Sequence, residues 1–417
     1  MPVSQSLWNM IEGKMEITEE FEQKVTETPV ERTAEDVFST QIKALQIVAM
    51  WPNFKQNSNM ELFTRALLKI NTFVLAYCTL ALFVKGLLTQ DLVDRSEAMD
   101  IFTLTTSALY KMIFFYTHHK EMDDMVNWGA ALAHQVPPKW MQYTTFFSCF
   151  HNFMGIFSIT FWGLCPIFKW IFGETDLDGM TLPINVYDPI GVTGAMYSVF
   201  YIVCDYGLLS AVQIYMASDA YLFTAIHLAI GGFETLNNKL RKMGQINFNK
   251  GPTVNDSMNE YLKDCVKLHT HILIYIRKID RLFRSMIMAD VLHAIISLSF
   301  AMLQASESKG IFENMKMAMF VSYCIVHQYL NNYFGQNLID QQEILNKELL
   351  ISVPWNDGSK EMKKSYQIMM AGCLKSVRLS AWSVYTLQYA TFLEFVKSMI
   401  SYSMVLRQVQ DQTVKQP

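Results

Sequence analysis

Residues Ile70–Val84 read INTFVLAYCTLALFV, a run without a charged side chain. It lies within a longer apolar stretch, from about Ala66 to Leu88. A helix needs about 20 mostly apolar residues to cross the hydrocarbon core of a bilayer. Because lipid offers the backbone no hydrogen-bond partner, a helix is also the expected conformation there. The stretch therefore predicts a first transmembrane helix.

The composition agrees with a membrane protein. Hydrophobic residues make up 51% of the 417 residues and charged residues 17%, against roughly 25% charged residues in an average soluble domain. The formal net charge of -4 is too small to indicate a nucleic-acid partner. The seven cysteines contain no CxxC pair and mostly lie in or beside apolar runs. They are expected to be small buried hydrophobic residues rather than a disulfide framework or metal site.

Further apolar stretches predict an all-α protein with seven transmembrane helices. The seventh is expected to be split into a weak part and a stronger part. The predicted spans are Ala66–Leu88, Ala98–Tyr116, Tyr143–Phe172, Gly194–Lys239, Ile287–Leu303, Phe312–Tyr333, and Met362–Trp382 followed by Leu387–Gln408.

Spans four to seven are predicted to extend beyond the bilayer. Before the fifth span, apolar residues such as Leu262, Val266 and Leu273 recur at helical spacing among lysines and arginines, which is typical of an amphipathic helix. Such extensions predict a cytosolic helical anchor bundle. The resulting organisation is a cytoplasmic segment (1–60), helices 1–4 with the ligand pocket (61–240), helices 5, 6 and 7a with the anchor (241–382), and a final helix 7b with an extracellular C-terminus (383–417).

The distribution of Lys and Arg predicts the orientation. Between the spans, the proposed outer loops contain only Arg95 and Lys309, whereas the inner segments are rich in both residue types. The N-terminus is therefore expected in the cytoplasm, and its polar stretch from Glu12 to Asp36 is no signal peptide. The sequon at Asn255 is then cytoplasmic and unmodified.

The motifs argue against two other functions. An enzyme is not indicated, because GxGxxG, GxxxxGK[ST], GxSxG and HExxH are absent. His118 and His119 precede acidic residues, but adjacent histidines point to different faces of a helix, so a solvated cytoplasmic loop is expected rather than a metal site. A G-protein-coupled receptor is not indicated either, since neither a DRY motif at the inner end of span three nor NPxxY in span seven occurs.

The C-terminal stretch SYSMVLRQV, residues 401–409, resembles the last helix of insect odorant receptors. Ser401-Tyr402, followed after five residues by Gln408, also resembles the related gustatory receptors. The seven spans, the cytoplasmic N-terminus, the acidic outer loop from Glu174 with Asp188-Pro189, and ISVPWNDG before the split helix fit the same family. Ser403 and Val409 favour the odorant branch.

The resemblance implies a function. Members of this family form tetrameric, odorant-gated, non-selective cation channels in which a tuning subunit assembles with a shared coreceptor. The stretch 243–258 is short where the coreceptor has a long insert, so this chain resembles a tuning subunit. The implied partners are the coreceptor, a small volatile odorant, membrane lipid and permeating cations, without nucleic acid, cofactor or enzymatic activity. The implied location is the plasma membrane of olfactory dendrites. A gustatory-type channel working without that coreceptor is the alternative.

The last helix carries the candidate pore residues. Ser401, Val405 and Gln408 fall on one face at spacings of i, i+4 and i+7. Val405 is expected to form a hydrophobic gate and Gln408 a polar ring, in agreement with the resemblance. The alternative is that these polar groups pair with another helix.

The family's ligand pocket lies in the outer half of spans two to six. Candidates there combine aromatic area with hydroxyl groups, which suits a small and mostly apolar ligand. Ordinary helix packing explains such residues equally well. The candidate ligand-binding residues are Tyr110, Ser158, Trp162, Tyr197, Tyr201, Met319 and Tyr323.

Overall fold

The computed structural model describes residues 37–51, 58–173, 182, 184, 186–187, 195–245, 252–307, 310–356, 358–382 and 384–414. Within these ranges the chain forms ten α-helices and one hairpin of two short strands. In chain order they are α1 (Ser39–Ile47), α2 (Ser58–Leu88), α3 (Leu92–Thr117), α4 (His119–Ala133), α5 (Pro138–Ile171), α6 (Ala195–Gly244), α7 (Pro252–Glu307), α8 (Ile311–Ser352), α9 (Lys360–Cys373), β1 (Ser380–Ala381), β2 (Tyr385–Thr386) and α10 (Tyr389–Val414).

Local sequence signals account for several helix ends. The Asp91 carboxylate accepts hydrogen bonds from the backbone N–H groups of Val93 and Asp94 at 3.1 and 3.0 Å, which caps the start of α3. Pro138 occupies the first turn of α5, where its missing N–H costs nothing. Gly173, at a φ of 75°, stands directly beyond α5 and adopts a conformation that other residues rarely tolerate.

The all-helical prediction is confirmed. A helix lies in each predicted span, but the weak first part of the seventh, Met362–Trp382, is helical only as far as Cys373 and contains the strand β1 near its end. Among the described residues, four helices are long and apolar enough to cross a membrane: Leu62–Leu88, Lys139–Ile171, Met196–Gly244 and Ser257–Ala305. Large apolar side chains stand exposed on the outside, for example Phe73 on α2 and Phe153 on α5, as expected of a surface facing lipid. The count of seven crossings stays a prediction.

Helix α6 is the centre of the molecule. It packs against α1 to α5, α7 and α8. Its middle, around Tyr221 and Phe223, has almost no exposed surface, and a helix buried on all faces is expected to be apolar all round. Residues of α6 and of the helices around it can therefore meet in the interior.

One sequence expectation is wrong. The stretch after His118 was expected to be a loop, but His119–Ala133 form the helix α4. The reason is a short apolar stripe: Met122, Met125 and Val126 recur at helical spacing and are buried against the rest of the bundle. This stripe is too short and too polar on its other face to resemble a membrane span.

The predicted helical extensions are present as a bundle of α9 and the adjoining ends of α6, α7 and α8. Its core is apolar, with Leu345 and Met369 fully buried. Its rim is polar: Arg241 Nε donates to Glu348 Oε1 at 2.7 Å. The Glu361 carboxylate accepts hydrogen bonds from Asn259 and Lys263, which lower its pKa. An apolar core with a charged rim suits a bundle surrounded by water.

The cysteines behave as the sequence predicts. All seven are free thiols, and all but Cys149 are buried. In the anchor bundle, burial raises the pKa of the Cys373 thiol to about 12. Such a thiol stays protonated at neutral pH and is therefore inert.

The first turn of α10 is fastened to α8. Asn332 Oδ1 accepts hydrogen bonds from the Tyr385 hydroxyl and the Gln388 backbone N–H, both at 3.1 Å, and from the Thr391 hydroxyl at 3.3 Å. One turn further along α8, a Cβ on Gly335 would stand 2.2 Å from the Leu387 carbonyl oxygen. Glycine is required there because backbone atoms cannot give way. These contacts define the α8–α10 joint.

Candidate functional site

An enclosed cavity lies between α3, α5, α6, α7 and α8. Its volume is about 40 Å³, whereas sites for drug-sized ligands span roughly 300–1,000 Å³. Apolar side chains form most of its wall, and a few polar groups interrupt them. The lining residues that matter below are Asp100, Ser158, Trp162, Tyr215, His293, Phe320, Tyr323 and His327. An apolar wall with sparse polar groups suits a small, mostly apolar ligand.

Three of the predicted ligand-binding residues line this cavity. Ser158 and Trp162 project from α5, and Tyr323 projects from α8. Trp162 and Phe320 meet edge to face, with ring centroids 5.4 Å apart, an arrangement that aromatic pairs favour. Sequence spacing and structure therefore agree that these three side chains face one space.

The other four predicted residues lie elsewhere. The Tyr201 hydroxyl donates to the Gly163 carbonyl oxygen, on the chain next to Trp162, and Tyr197 packs on Tyr201 with ring centroids 6.0 Å apart. Met319 is half-buried on α8 without lining the cavity. Tyr110 lines a separate, wider groove of about 560 Å³ together with His118 and Trp382.

A cluster of ion pairs stands next to Trp162 on the side of the cavity where α8 begins. The Lys316 ammonium lies 4.6 Å from the centroid of the Trp162 ring, within cation–π range. It also pairs with Glu97 at 3.0 Å and Glu313 at 2.8 Å, and Lys169 pairs with Glu313. Opposite charges are therefore matched in number at this end of the cavity.

Beneath the opposite end lies a buried polar network centred on Lys111. Its ammonium has no exposed surface and lies 2.7 Å from Asp219 Oδ1 and 2.9 Å from Asp290 Oδ1. It also stands 3.8 Å from the centroid of the Tyr215 ring. Its acceptors come from α6 and α7. Groups on three helices thus meet around one charge, and a buried cation requires such partners.

Two histidines extend this network. His327 Nε2 lies 2.8 Å from Asp219 Oδ2; because a carboxylate can only accept, Nε2 carries the proton. The His151 ring stacks on the His327 ring with centroids 5.1 Å apart. Among the described residues, neither nitrogen of His151 has a hydrogen-bond partner. The network therefore ends in a histidine whose two ring nitrogens form no hydrogen bond with the described residues.

The spacing of His151, Asp219 and His327 would allow a metal ion, since one ligand atom from each lies within 4.8 Å of the others. The chemistry fits poorly, because both Asp219 oxygens are already bonded, one to Lys111 and one to His327. An ammonium 2.7 Å from the carboxylate would also repel a second cation. The residues present therefore suit a proton-sharing network better than a metal centre.

The sequence analysis did not identify this network, although a signal for it existed. Lys111, Asp219 and Asp290 are ionisable residues inside mostly apolar stretches of their helices. Such residues are rare in membrane segments and usually mark a functional position or an internal partner. Which charges meet across three helices depends on packing that the sequence pattern does not contain.

On α10, the predicted pore residues share an exposed face. Phe395, Met399 and Ser403, spaced four residues apart, are buried against the chain. Ser401, Val405 and Gln408 are exposed on the other side, with Val405 at 53% of its full accessible surface. The candidate pore face is therefore turned away from the rest of the chain.

The chain is similar to known receptors in sequence. A family model described as "7tm Odorant receptor" matches residues 91–400. The odorant receptor coreceptor of Anopheles gambiae is 25% identical over 149 residues, which cover 36% of this chain and 31% of that protein. Odorant receptor 13a of Drosophila melanogaster is 21% identical over 260 residues, or 58% of this chain and 62% of that protein. The chain thus matches about a third of the coreceptor's length.

The chain is also similar to a solved structure. The insect olfactory receptor OR5 from Machilis hrabei, in complex with eugenol, superposes with a TM-score of 0.75 over 90% of this chain and 98% of that chain. The structure of OR5 described without eugenol gives a TM-score of 0.73. At 12% and 13% sequence identity, the likeness concerns the fold.

Proposed function

The chain belongs to the 7tm odorant receptor family, and from this premise we propose that it is the ligand-binding subunit of an odorant-gated, non-selective cation channel. It is a receptor-type membrane protein and no enzyme. In this proposal it assembles with an odorant receptor coreceptor into a heterotetramer in the plasma membrane of olfactory dendrites. Sequence similarity to the coreceptor of Anopheles gambiae supports a shared mode of assembly.

The observation that carries the proposal is the exposed face of α10. A hydroxyl, an apolar side chain and an amide follow one another along an apolar helix, turned away from their own chain. Polar groups in a membrane helix are costly when they face lipid. Around a shared axis the same residues would instead line a path for ions, with Val405 as a gate that opens by wetting.

The cavity is the proposed odorant site, with Ser158, Trp162 and Tyr323 in contact with the ligand. Its volume of about 40 Å³ is below the roughly 300–1,000 Å³ of sites for drug-sized ligands, so a ligand of that size must widen it. A ligand shifts a conformational equilibrium only if it binds one state more tightly. Because Tyr323 lies on α8, widening displaces the helix that holds α10 through the α8–α10 joint.

The test is whole-cell current from cells that express this chain with and without an odorant coreceptor, across a panel of volatiles. A cation current that needs both chains supports the proposal. Current from this chain alone would favour a gustatory-type channel. Absence of current in both cases, with the chain at the cell surface and its N-terminus outside, would refute the channel.

Pore variants sharpen the test. Gln408→Glu places a carboxylate on the proposed ion path and is expected to shift the relative permeability of Ca²⁺ against Na⁺ upward, because a negative ring attracts divalent cations more strongly. Tyr402→Glu is the matched control, since Tyr402 is about as exposed on α10 as Val405 but points about 120° away from Gln408 on an ideal helix. Equal reversal potentials for both variants and the wild type would show that α10 does not line the pore.

A further inference from the structure

A carboxylate stands in the cavity without a counter-charge. Asp100 lines the cavity and is only 1% exposed. Among the described residues, neither of its carboxylate oxygens has a hydrogen-bond partner. The hydroxyl of Ser297 is close enough to interact with this carboxylate and also contacts Thr103 and His293 at 3.3 Å, but a hydroxyl supplies no counter-charge. A buried carboxylate with no partner costs several kcal/mol, so its presence requires an explanation.

The nearby cations are already engaged. Lys316 pairs with Glu97 and Glu313 and lies over Trp162, and Lys111 pairs with Asp219 and Asp290. Within the described residues, neither ammonium forms an ion pair with Asp100. A cation that enters the cavity would supply the partner that this carboxylate lacks among the described residues.

The charges in and directly beneath the cavity also favour a cation. Three carboxylates, Asp100, Asp219 and Asp290, lie in or beneath it, whereas one lysine, Lys111, pairs with two of them. The excess of negative charge is enclosed by apolar walls, where electrostatic attraction is stronger than in water.

The remaining lining residues indicate what kind of ligand body the cavity can accept. Ile101, Leu104 and Ile159 provide an aliphatic surface, and Tyr215 and Tyr323 provide ring faces that attract a cation. Met216 packs where Gly155 leaves room, and an unbranched methionine can vacate such space at little cost. The cavity thus suits a small apolar body that carries one positive charge.

Resting on the proposed function above, we propose that the ligand class of this cavity is a small protonated amine with an apolar body, whose ammonium binds the Asp100 carboxylate. The apolar body would lie against the aliphatic wall and displace Met216. A neutral alcohol of the same shape would leave the carboxylate without its counter-charge and would bind more weakly.

Binding to the purified full-length chain tests this without requiring a current. Thermal stabilisation in detergent is measured with cyclohexylamine, which is protonated at neutral pH, and with cyclohexanol, its neutral counterpart. The wild type is expected to bind the amine at least 10-fold more tightly. Equal binding of both ligands, or binding of the alcohol alone, would overturn the proposal.

Two variants locate the contact. Asp100→Asn is expected to weaken amine binding roughly 10- to 100-fold, the factor for losing a hydrogen bond to a charged group, while cyclohexanol binding is unchanged. Asp94→Asn is the matched control, because Asp94 is an exposed carboxylate on the same helix. An unchanged amine affinity in Asp100→Asn would refute the contact even if the wild type prefers amines.

The outcomes separate this inference from the proposed channel. If the purified chain binds amines through Asp100 but cells expressing it with a coreceptor give no current, the channel proposal fails and the ligand class stands. If neutral volatiles evoke current and amines neither bind nor evoke it, the ligand class fails and the channel proposal stands.

Discussion

Replacing Lys111 by methionine tests the buried network most directly. The change keeps the length of the side chain but removes an ammonium that lies 2.7 and 2.9 Å from two carboxylates. Asp219 and Asp290 would then face each other in the core without a counter-charge. Removing one partner of a buried pair costs about 3–5 kcal/mol, since the remaining charge stays dehydrated. We expect Lys111→Met to lower the midpoint of thermal unfolding of the full chain in detergent. The midpoint is measured by size-exclusion chromatography of samples heated to increasing temperatures.

A matched control separates burial from charge. Lys267 pairs with Asp264 at 3.1 Å, but both side chains are more than 60% exposed. Lys267→Met should cost less than about 1 kcal/mol, because water screens an exposed pair. If both lysine variants lower the midpoint equally, the network contributes nothing specific and the reasoning is wrong.

Rescue provides a second check. Asp219→Asn and Asp290→Asn, added to Lys111→Met, remove the uncompensated charges and should restore most of the lost stability, since a neutral core is often as stable as a buried ion pair. A triple variant that is no more stable than Lys111→Met would show that packing, and not electrostatics, explains the loss.

Three other predictions concern the α8–α10 joint and the topology. Gly335→Ala should destabilise the chain by about 1–3 kcal/mol in the same thermal assay, because the added Cβ would meet backbone atoms. Gly86→Ala is the control and should be neutral or stabilising, because its added Cβ would meet only the flexible side chain of a methionine. Asn332→Leu should cost about 1–3 kcal/mol, and Tyr385→Phe should then add nothing to it; full additivity of the two changes would argue against their hydrogen bond. The sequon at Asn255 should remain unglycosylated in insect cells. A shift in electrophoretic mobility on glycosidase treatment would contradict the proposed orientation.

The sequence predicted best where one helix carries its own signal. The apolar stretch around Ile70–Val84 lies inside α2, and the amphipathic pattern around Leu262 appears as a continuous α7. Both patterns depend on the residues of a single segment. The weaker stripe of α4 was missed because it is short.

Contacts between helices were predicted less well. Ser158 and Trp162, at i and i+4 on α5, face the cavity together with Tyr323, because one face of one helix suffices to place the first two. The location of Tyr110 depends on where α3 passes the groove beside α7, which no local pattern contains. The Lys111 network could not be predicted for the same reason, because its charges meet only when three helices are packed together.

Tyr323 in the cavity and Asn332 in the α8–α10 joint lie nine residues apart on the same helix. At 1.5 Å per residue this is about 13 Å, and one inserted residue would turn one site by about 100° relative to the other. Insertions, deletions and crossovers between these two residues should therefore be avoided when the protein is engineered. Chimaeras that exchange ligand preference between relatives should take α8 and the first turn of α10 from the same parent, and should place their crossover in the connection before α8.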